Sequence, residues 1–114
     1  MGVRSDVVVA LKKNLVDELT EEQKTTWFGT CKRKLEHEEG ILYLWEYTKW
    51  YFEEYDHLVS LYEWLRSQDY DDFLVVVACH DYPESFDGDL GAWTDNPWNA
   101  HRMISISINV ETPS

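Results

Sequence analysis

Cysteine is scarce in this chain. Cys31 and Cys79 are its only two, too few and too far apart for a disulfide framework or a paired-cysteine metal site. With no signal-peptide pattern before them, they are expected to be reduced thiols in a cytoplasm. No apolar run approaches the roughly 20 residues that span a bilayer. Met1-Gly2 opens like a myristoylation signal, but Asp6 stands where that motif needs Ser or Thr. The glycines never gather into a loop that could cradle phosphate. Internal repeats and low-complexity segments are also missing. The largest shortage is of cations, 10 Lys or Arg against 22 Asp or Glu, for a formal net charge of -12. Such a surface repels nucleic acid and anionic lipid. It attracts basic partners, including proteins that themselves hold nucleic acid.

What is present argues for a folded protein despite that charge. Of the 114 residues, 44% are hydrophobic and 15% aromatic, well above a disordered composition. A single acidic domain over 1–114 fits, burying about two-thirds of its unfolded surface. The charge is uneven. Residues 1–35 hold seven Lys or Arg against five acids, whereas residues 36–101 hold sixteen acids against Lys49 and Arg66. This asymmetry points to one acidic face.

Gly40 to Tyr55 is the stretch around which the chain is expected to be organised, as a central strand. Alternation sends Ile41, Tyr43, Trp45 and Tyr47 to one face and Leu42, Leu44, Glu46 and Thr48 to the other, so both faces carry apolar bulk. Ahead of it, Val7-Val8-Val9-Ala10-Leu11 reads as a buried first strand, with a helix as the alternative. Leu15, Leu19, Gln23, Trp27, Cys31 and Leu35 then recur every four residues, which predicts one helical stripe. Thr20-Glu21-Glu22-Gln23 is a capping box that restarts the helix. Gly29 weakens this helix without ending it, and Lys32-Arg33-Lys34 would occupy its last turns. Glu36 to Gly40 reads as a polar break.

After the aromatic strand, Asp56 is expected to cap a helix with Leu58, Leu61, Tyr62 and Leu65 on one stripe. Phe73 to Cys79 is a continuous apolar run of strand length, expected in the interior. Asp81 to His101 is a long connection in which Pro83 and Pro97 bar regular pairing. Met103 to Val110 alternates, with Ile104, Ile106, Ile108 and Val110 inward, and reads as a half-buried strand neighbouring the previous one. The order β-α-β-α-β-β predicts an α+β domain, a two-layer sandwich of about four strands with helices on one sheet face. Trp45 and Ile106 should be buried against stripes containing Trp27 and Leu61.

Reactive constellations are weak. His80-Asp81 with Glu84, Asp87 and Asp89 offers imidazole and oxygen ligands, but without the ladder of a calcium loop or a zinc spacing. Cys31 has His37 six residues on. Cys79 adjoins His80, but neighbours on a strand point to opposite faces. No catalytic residue, metal or cofactor is therefore expected. The acids are more informative. Glu53, Glu54, Asp69, Asp71 and Asp72 border the aromatic strand and the second helix, and carboxylates there could imitate phosphates, which repeat every ~1.7 Å along duplex DNA. Trp93 and Trp98 are candidate interface anchors, or else a lid on the sheet.

Met1-Gly2-Val3-Arg4-Ser5-Asp6-Val7-Val8, then Glu39-Gly40 leading into Trp45-Glu46-Tyr47-Thr48-Lys49-Trp50-Tyr51, resembles a group of small tailed-phage proteins that open Met-Gly-aromatic-Arg-Ser-Asp-Val. The helix that follows, the apolar strand, the acidic segment and the final strand are similar too. Val3 replaces the group's aromatic, and Cys79-His80-Asp81 replaces an Arg-Ile-Gly-Glu-like sequence. The resemblance implies phage or prophage origin and action in the infected cell's cytoplasm, without implying a mechanism. Two functions are expected to compete. One is a non-catalytic inhibitor that binds a basic surface of a host nucleic-acid-binding complex, of anti-CRISPR or anti-restriction type, touching neither nucleic acid nor membrane. The other is a small structural or regulatory protein, homodimeric through its sheet face.

Overall fold

The computed structural model describes residues 5–50, 54–79, 90–93 and 95–98. Its centre is a five-stranded antiparallel sheet. In chain order the elements are β1 (Ser5–Lys12), α1 (Lys13–Glu18), α2 (Glu21–Phe28), β2 (Arg33–His37), β3 (Gly40–Thr48), α3 (Asp56–Arg66), a 3-10 turn (Tyr70–Asp72), β4 (Phe73–Cys79) and β5 (Leu90–Gly91). The strands lie in the order β2-β3-β1-β4-β5.

The central strand is β1, not the aromatic one. Val7, Val8, Val9, Ala10 and Leu11 are fully buried, held by β3 on one side and β4 on the other. A β-branched run suits that place, since its side chains pack on both faces and each fully buried Val or Leu contributes about 1.5–3 kcal/mol. The aromatic strand, β3, is β1's interior neighbour and ends at Thr48. Its face assignment holds from Ile41 to Trp45. Tyr43 and Trp45 join Val7, Val9, Leu11 and the helices in one cluster, while Leu42 and Leu44 join Val8 and Ala10 in another.

One residue breaks the alternation of β3. Ser5 pairs with Thr48 but Val7 pairs with Trp45, so Glu46 and Tyr47 stand opposite Asp6 alone. This is a β-bulge. Tyr47 takes a φ of 52°, a conformation costing a non-glycine residue roughly 1–2 kcal/mol. The buried Asp6 carboxylate accepts the Tyr47 N–H at 3.0 Å and anchors the bulge. In consequence Tyr47 is turned outward and is 63% exposed. At the other end of the strand, Gly40 is required by close approach. A Cβ there would fall on the Leu11 carbonyl oxygen.

The four-residue stripe does not run through one helix. Leu15 lies on α1, whose end is marked by the Leu19 N–H donating to Val16. The capping box then forms as read, the Gln23 N–H donating to Thr20 Oγ1 at 3.1 Å and the Thr20 N–H to Gln23 Oε1 at 2.9 Å. Gly29 ends α2 as its C-cap instead of being passed through. There the chain turns, with the Lys32 N–H donating to the Leu44 carbonyl at 2.7 Å, and enters β2. Leu35 and the triplet Lys32-Arg33-Lys34 thus belong to an edge strand and its approach, not to a helix. Glu36 and His37 finish that strand, and Glu38-Glu39 is the two-residue turn into β3. The segment read as a polar break is half of a hairpin.

Helix α3 buries Leu58, Leu61, Tyr62 and Leu65 as expected. Its N-cap is Tyr55, and Asp56 is the first-turn acid, placed to favour the positive end of the helix dipole without capping by its side chain. Strand β4 lies inside the sheet as expected, with Phe73 to Ala78 buried. The order β-α-β-α-β-β is therefore corrected to one with two helices before a β2–β3 hairpin, and among the described residues β4's second neighbour is β5, at Leu74 and Val75. Trp45 is buried in one cluster with Trp27 and Leu61. The expected final strand, Met103 to Val110, and with it Ile106, lies outside the described residues.

Candidate interaction surface

Helix α3 and the turns at its ends carry the acidic row. Between 54 and 72 the chain has Glu54, Asp56, Glu63, Asp69, Asp71 and Asp72 against Arg66 alone. All of these are exposed except Asp72, which is half-buried. Eleven helical residues span about 16 Å, so the row is elongated. Its members have different duties. Asp72 lies 3.7 Å from Lys12 Nζ and accepts from Asn14 Nδ2 at 3.0 Å, tying the end of β1 and the start of α1 to the 3-10 turn. Asp69 caps that turn, accepting the Asp71 N–H at 3.0 Å. Among the described residues Glu54, Glu63 and Asp71 have no ion-pair partner. Glu53 lies outside the described residues.

The two tryptophans from the long connection cover the sheet. Trp93 is 4% exposed and packs in the cluster of Val8, Ala10, Leu42, Leu44, Leu74, Val76 and Ala78. Trp98 is half-buried and meets it edge-on, with ring centroids 5.7 Å apart. Asn96 holds the turn between them. Its Nδ2 donates to the Trp93 carbonyl at 2.8 Å, and its Oδ1 accepts the Trp98 N–H at 3.2 Å. Lys12 Nζ sits 5.7 Å from the Trp93 ring centroid while facing Asp72. One partly exposed ammonium therefore links Trp93 to Asp72. The lid reading describes Trp93 as it stands.

Sequence reasoning passed over Tyr70. It is 43% exposed, lies between Asp69 and Asp71, and rests its ring against Phe73 at 5.3 Å. Its carbonyl accepts the Ala92 N–H at 2.7 Å, joining the acidic turn to the segment that carries Trp93. The signal was present in Asp69-Tyr70-Asp71-Asp72, where an aromatic among carboxylates has nowhere to bury.

Cys31 packs partly against the helix-side cluster, and burial pushes its thiol above the usual range, with Lys34 acting weakly the other way. A protonated thiol is a poor nucleophile. His37 Nδ1 instead accepts the Glu39 N–H at 3.1 Å. A small cleft of about 120 Å³ between α1 and the hairpin is lined by residues including Lys13, Asp17, Glu36 and His37. Among the described residues no three His, Cys, Asp or Glu side chains gather to hold a metal ion. His80, Asp81, Glu84, Asp87 and Asp89, and the side chain of Cys79, lie outside the described residues. No helix among the described residues is long and apolar enough to cross a membrane. Compared with family models, with curated proteins and with solved structures, the chain matches none.

Proposed function

We propose that this protein is a non-catalytic inhibitor of phage origin that occupies a basic, nucleic-acid-holding surface of a bacterial defence complex, a CRISPR effector or a restriction nuclease, in the host cytoplasm. The observation that supports it most is the row of exposed carboxylates along α3 and the turns at its ends, answered by one guanidinium. Charges so placed raise the rate of encounter with a basic channel and repel nucleic acid itself. Tyr70 supplies an exposed aromatic within that row, of the kind that anchors interfaces once desolvated. Asp69 and Asp72 shape the turn that presents it, so the contact falls chiefly to Glu54, Glu63 and Asp71. The phage origin rests on the sequence resemblance.

The test is surface plasmon resonance against captured CRISPR effectors and restriction nucleases at two salt concentrations, with duplex DNA as competitor. Wild type should compete with DNA and associate more slowly at high salt, because surface charges are screened within about 8–10 Å at physiological ionic strength. Reversing Glu54, Glu63 and Asp71 to Lys should slow association and abolish competition while leaving thermal unfolding unchanged. Competition retained by the reversed protein would leave the acidity as a solubility device alone.

A further inference from the structure

Strand β2 is an edge strand, with β3 on one side and no strand among the described residues on the other. The two-residue turn Glu38-Glu39 closes the pair His37 and Gly40, which makes that pair hydrogen-bonded. Alternation then aims the backbone N–H and C=O groups of Arg33, Leu35 and His37 at β3. Those of Lys34 and Glu36 face outward from the sheet. Bare edges of this kind template pairing with another chain, and proteins commonly guard them with like charges.

The charges on this edge are not alike. Reading outward from Leu35, Lys34 and Lys32 lie on one side and Glu36 and Glu38 on the other. Lys34 and Glu36 are exposed, and both fall on the helix-side face, opposite Tyr43 and Ile41 of β3. If a second copy of β2 is laid antiparallel with its Leu35 opposite this Leu35, Lys34 meets the partner's Glu36 and Glu36 meets the partner's Lys34. Lys32 lies before the strand, its N–H donated to Leu44 and its Nζ 3.0 Å from Glu46, so the charge pairing rests on Lys34 and Glu36. The outward backbone groups fit this register, since Lys34 and the partner's Glu36 become a hydrogen-bonded pair. The two leucines become the closely spaced, non-hydrogen-bonded pair at the axis. Leu35 is half-buried and packed against the cluster that contains Leu42 and Trp93, so the second leucine extends an existing apolar surface.

We propose that the chain forms a homodimer by antiparallel pairing of β2 with β2 about Leu35, joining two sheets into one. The charge order selects the occupant. A parallel copy would set Lys34 against Lys34, and an antiparallel copy shifted by two residues would set Lys34 against Lys34 or Glu36 against Glu36, whereas the antiparallel register about Leu35 sets each Lys34 opposite a Glu36. Arg33 faces the partner's His37, whose Nδ1 is engaged by the Glu39 N–H. This proposal does not depend on the inhibitor reading. A five-residue strand makes a small interface, so the dimer should be reversible in the micromolar range.

The experiment is sedimentation equilibrium of the full chain across micromolar concentrations. Wild type should fit a monomer–dimer equilibrium. Lys34→Glu and Glu36→Lys, each alone, place like charges opposite one another twice per dimer and should weaken it at least tenfold, with thermal unfolding of the monomer unchanged. Mixing these two singly reversed proteins should restore association as a heterodimer, because each Glu then meets a Lys. The doubly swapped chain, Lys34→Glu with Glu36→Lys, should dimerise by itself as wild type does. A wild type that stays monomeric overturns the proposal and leaves the edge to a strand of another protein. Single reversals that dimerise undiminished, or a mixture that stays monomeric, overturn the register and with it the proposal.

Discussion

On the helix-covered face of the sheet, β1 and β3 present Val7, Val9, Leu11, Tyr43 and Trp45; on the other, the same two strands present Val8, Ala10, Leu42 and Leu44. The first set leaves ridges and gaps that only large flat side chains fill. Phe28 stacks on Tyr43 with centroids 4.0 Å apart, Trp50 lies against Trp45 at 4.9 Å, and Trp27 against Trp64 at 5.4 Å. The indoles there find side-chain acceptors, Trp45 Nε1–H donating to Thr30 Oγ1 at 3.1 Å and Trp50 Nε1–H to Tyr62 Oη at 3.0 Å. The second set is small and smooth. Trp93, carried on a turn pinned by Asn96, lies across it together with Trp98. Side-chain volume on each face thus decides what covers it among the described residues, helices for the rough face and two indoles on a tight turn for the flat one.

This comparison can be broken from either side. Truncating Trp45 to Ala removes an aromatic keyed into several others and an indole hydrogen bond, so it should cost roughly 3–5 kcal/mol in urea unfolding. A variant that unfolds with wild type would mean that the helix face is not the main store of stability. The alkaline limb sharpens the contrast, because the helix face holds a phenol and a thiol raised by burial. Burial first, then Cys31 and Glu36, push Tyr43 up to about 12 from an ordinary value of 10. The folded protein therefore keeps a proton that the unfolded chain releases. That stabilisation is complete below pH 10 and is lost as pH rises through about 12. Tyr43→Phe, which keeps the ring stacked on Phe28, should flatten this part of the stability profile relative to wild type. Equal slopes for the two proteins would show the phenol titrating as it does in the unfolded chain. On the flat face, Asn96→Ala should cost about 1–2 kcal/mol, the usual penalty for buried hydrogen bonds lost with one partner. Its near-UV circular dichroism should change through Trp93 and Trp98 while far-UV ellipticity holds. A loss as large as that of Trp45→Ala would erase the distinction between the faces.

Elements whose apolar period is long and clean were legible from the chain. Val7 to Leu11, Phe73 to Ala78, the α3 stripe and the capping box at Thr20 all stand where their patterns put them, because burial and local hydrogen bonding demand the same conformation there. The edge strand β2 was not legible. Leu35 continued a four-residue spacing from α2, and a lone leucine among charges carries no period of its own. What makes Arg33 to His37 a strand is the β3 edge, Leu42 opposite Leu35, reached only after Gly29 stops the helix and Lys32 bonds to Leu44. Trp93 and Trp98 looked alike in sequence. Their different exposures come from the flat patch of Ala10 and Ala78, residues remote from both in the chain.

By itself, then, the sequence determined an acidic α+β domain, its buried valine strands, the two faces of its aromatic strand and the row of acids along α3. These follow from side-chain period and charge, which are local properties. Only the tertiary structure decided that β1 and not β3 is central, that Asp72 and Trp93 are joined through Lys12, and that a basic triplet lies on the edge strand of the described sheet beside its own acidic complement. Each of these depends on strand neighbours far apart in sequence, and long-range pairing is chosen by the joint burial of both partners, a quantity no single segment carries.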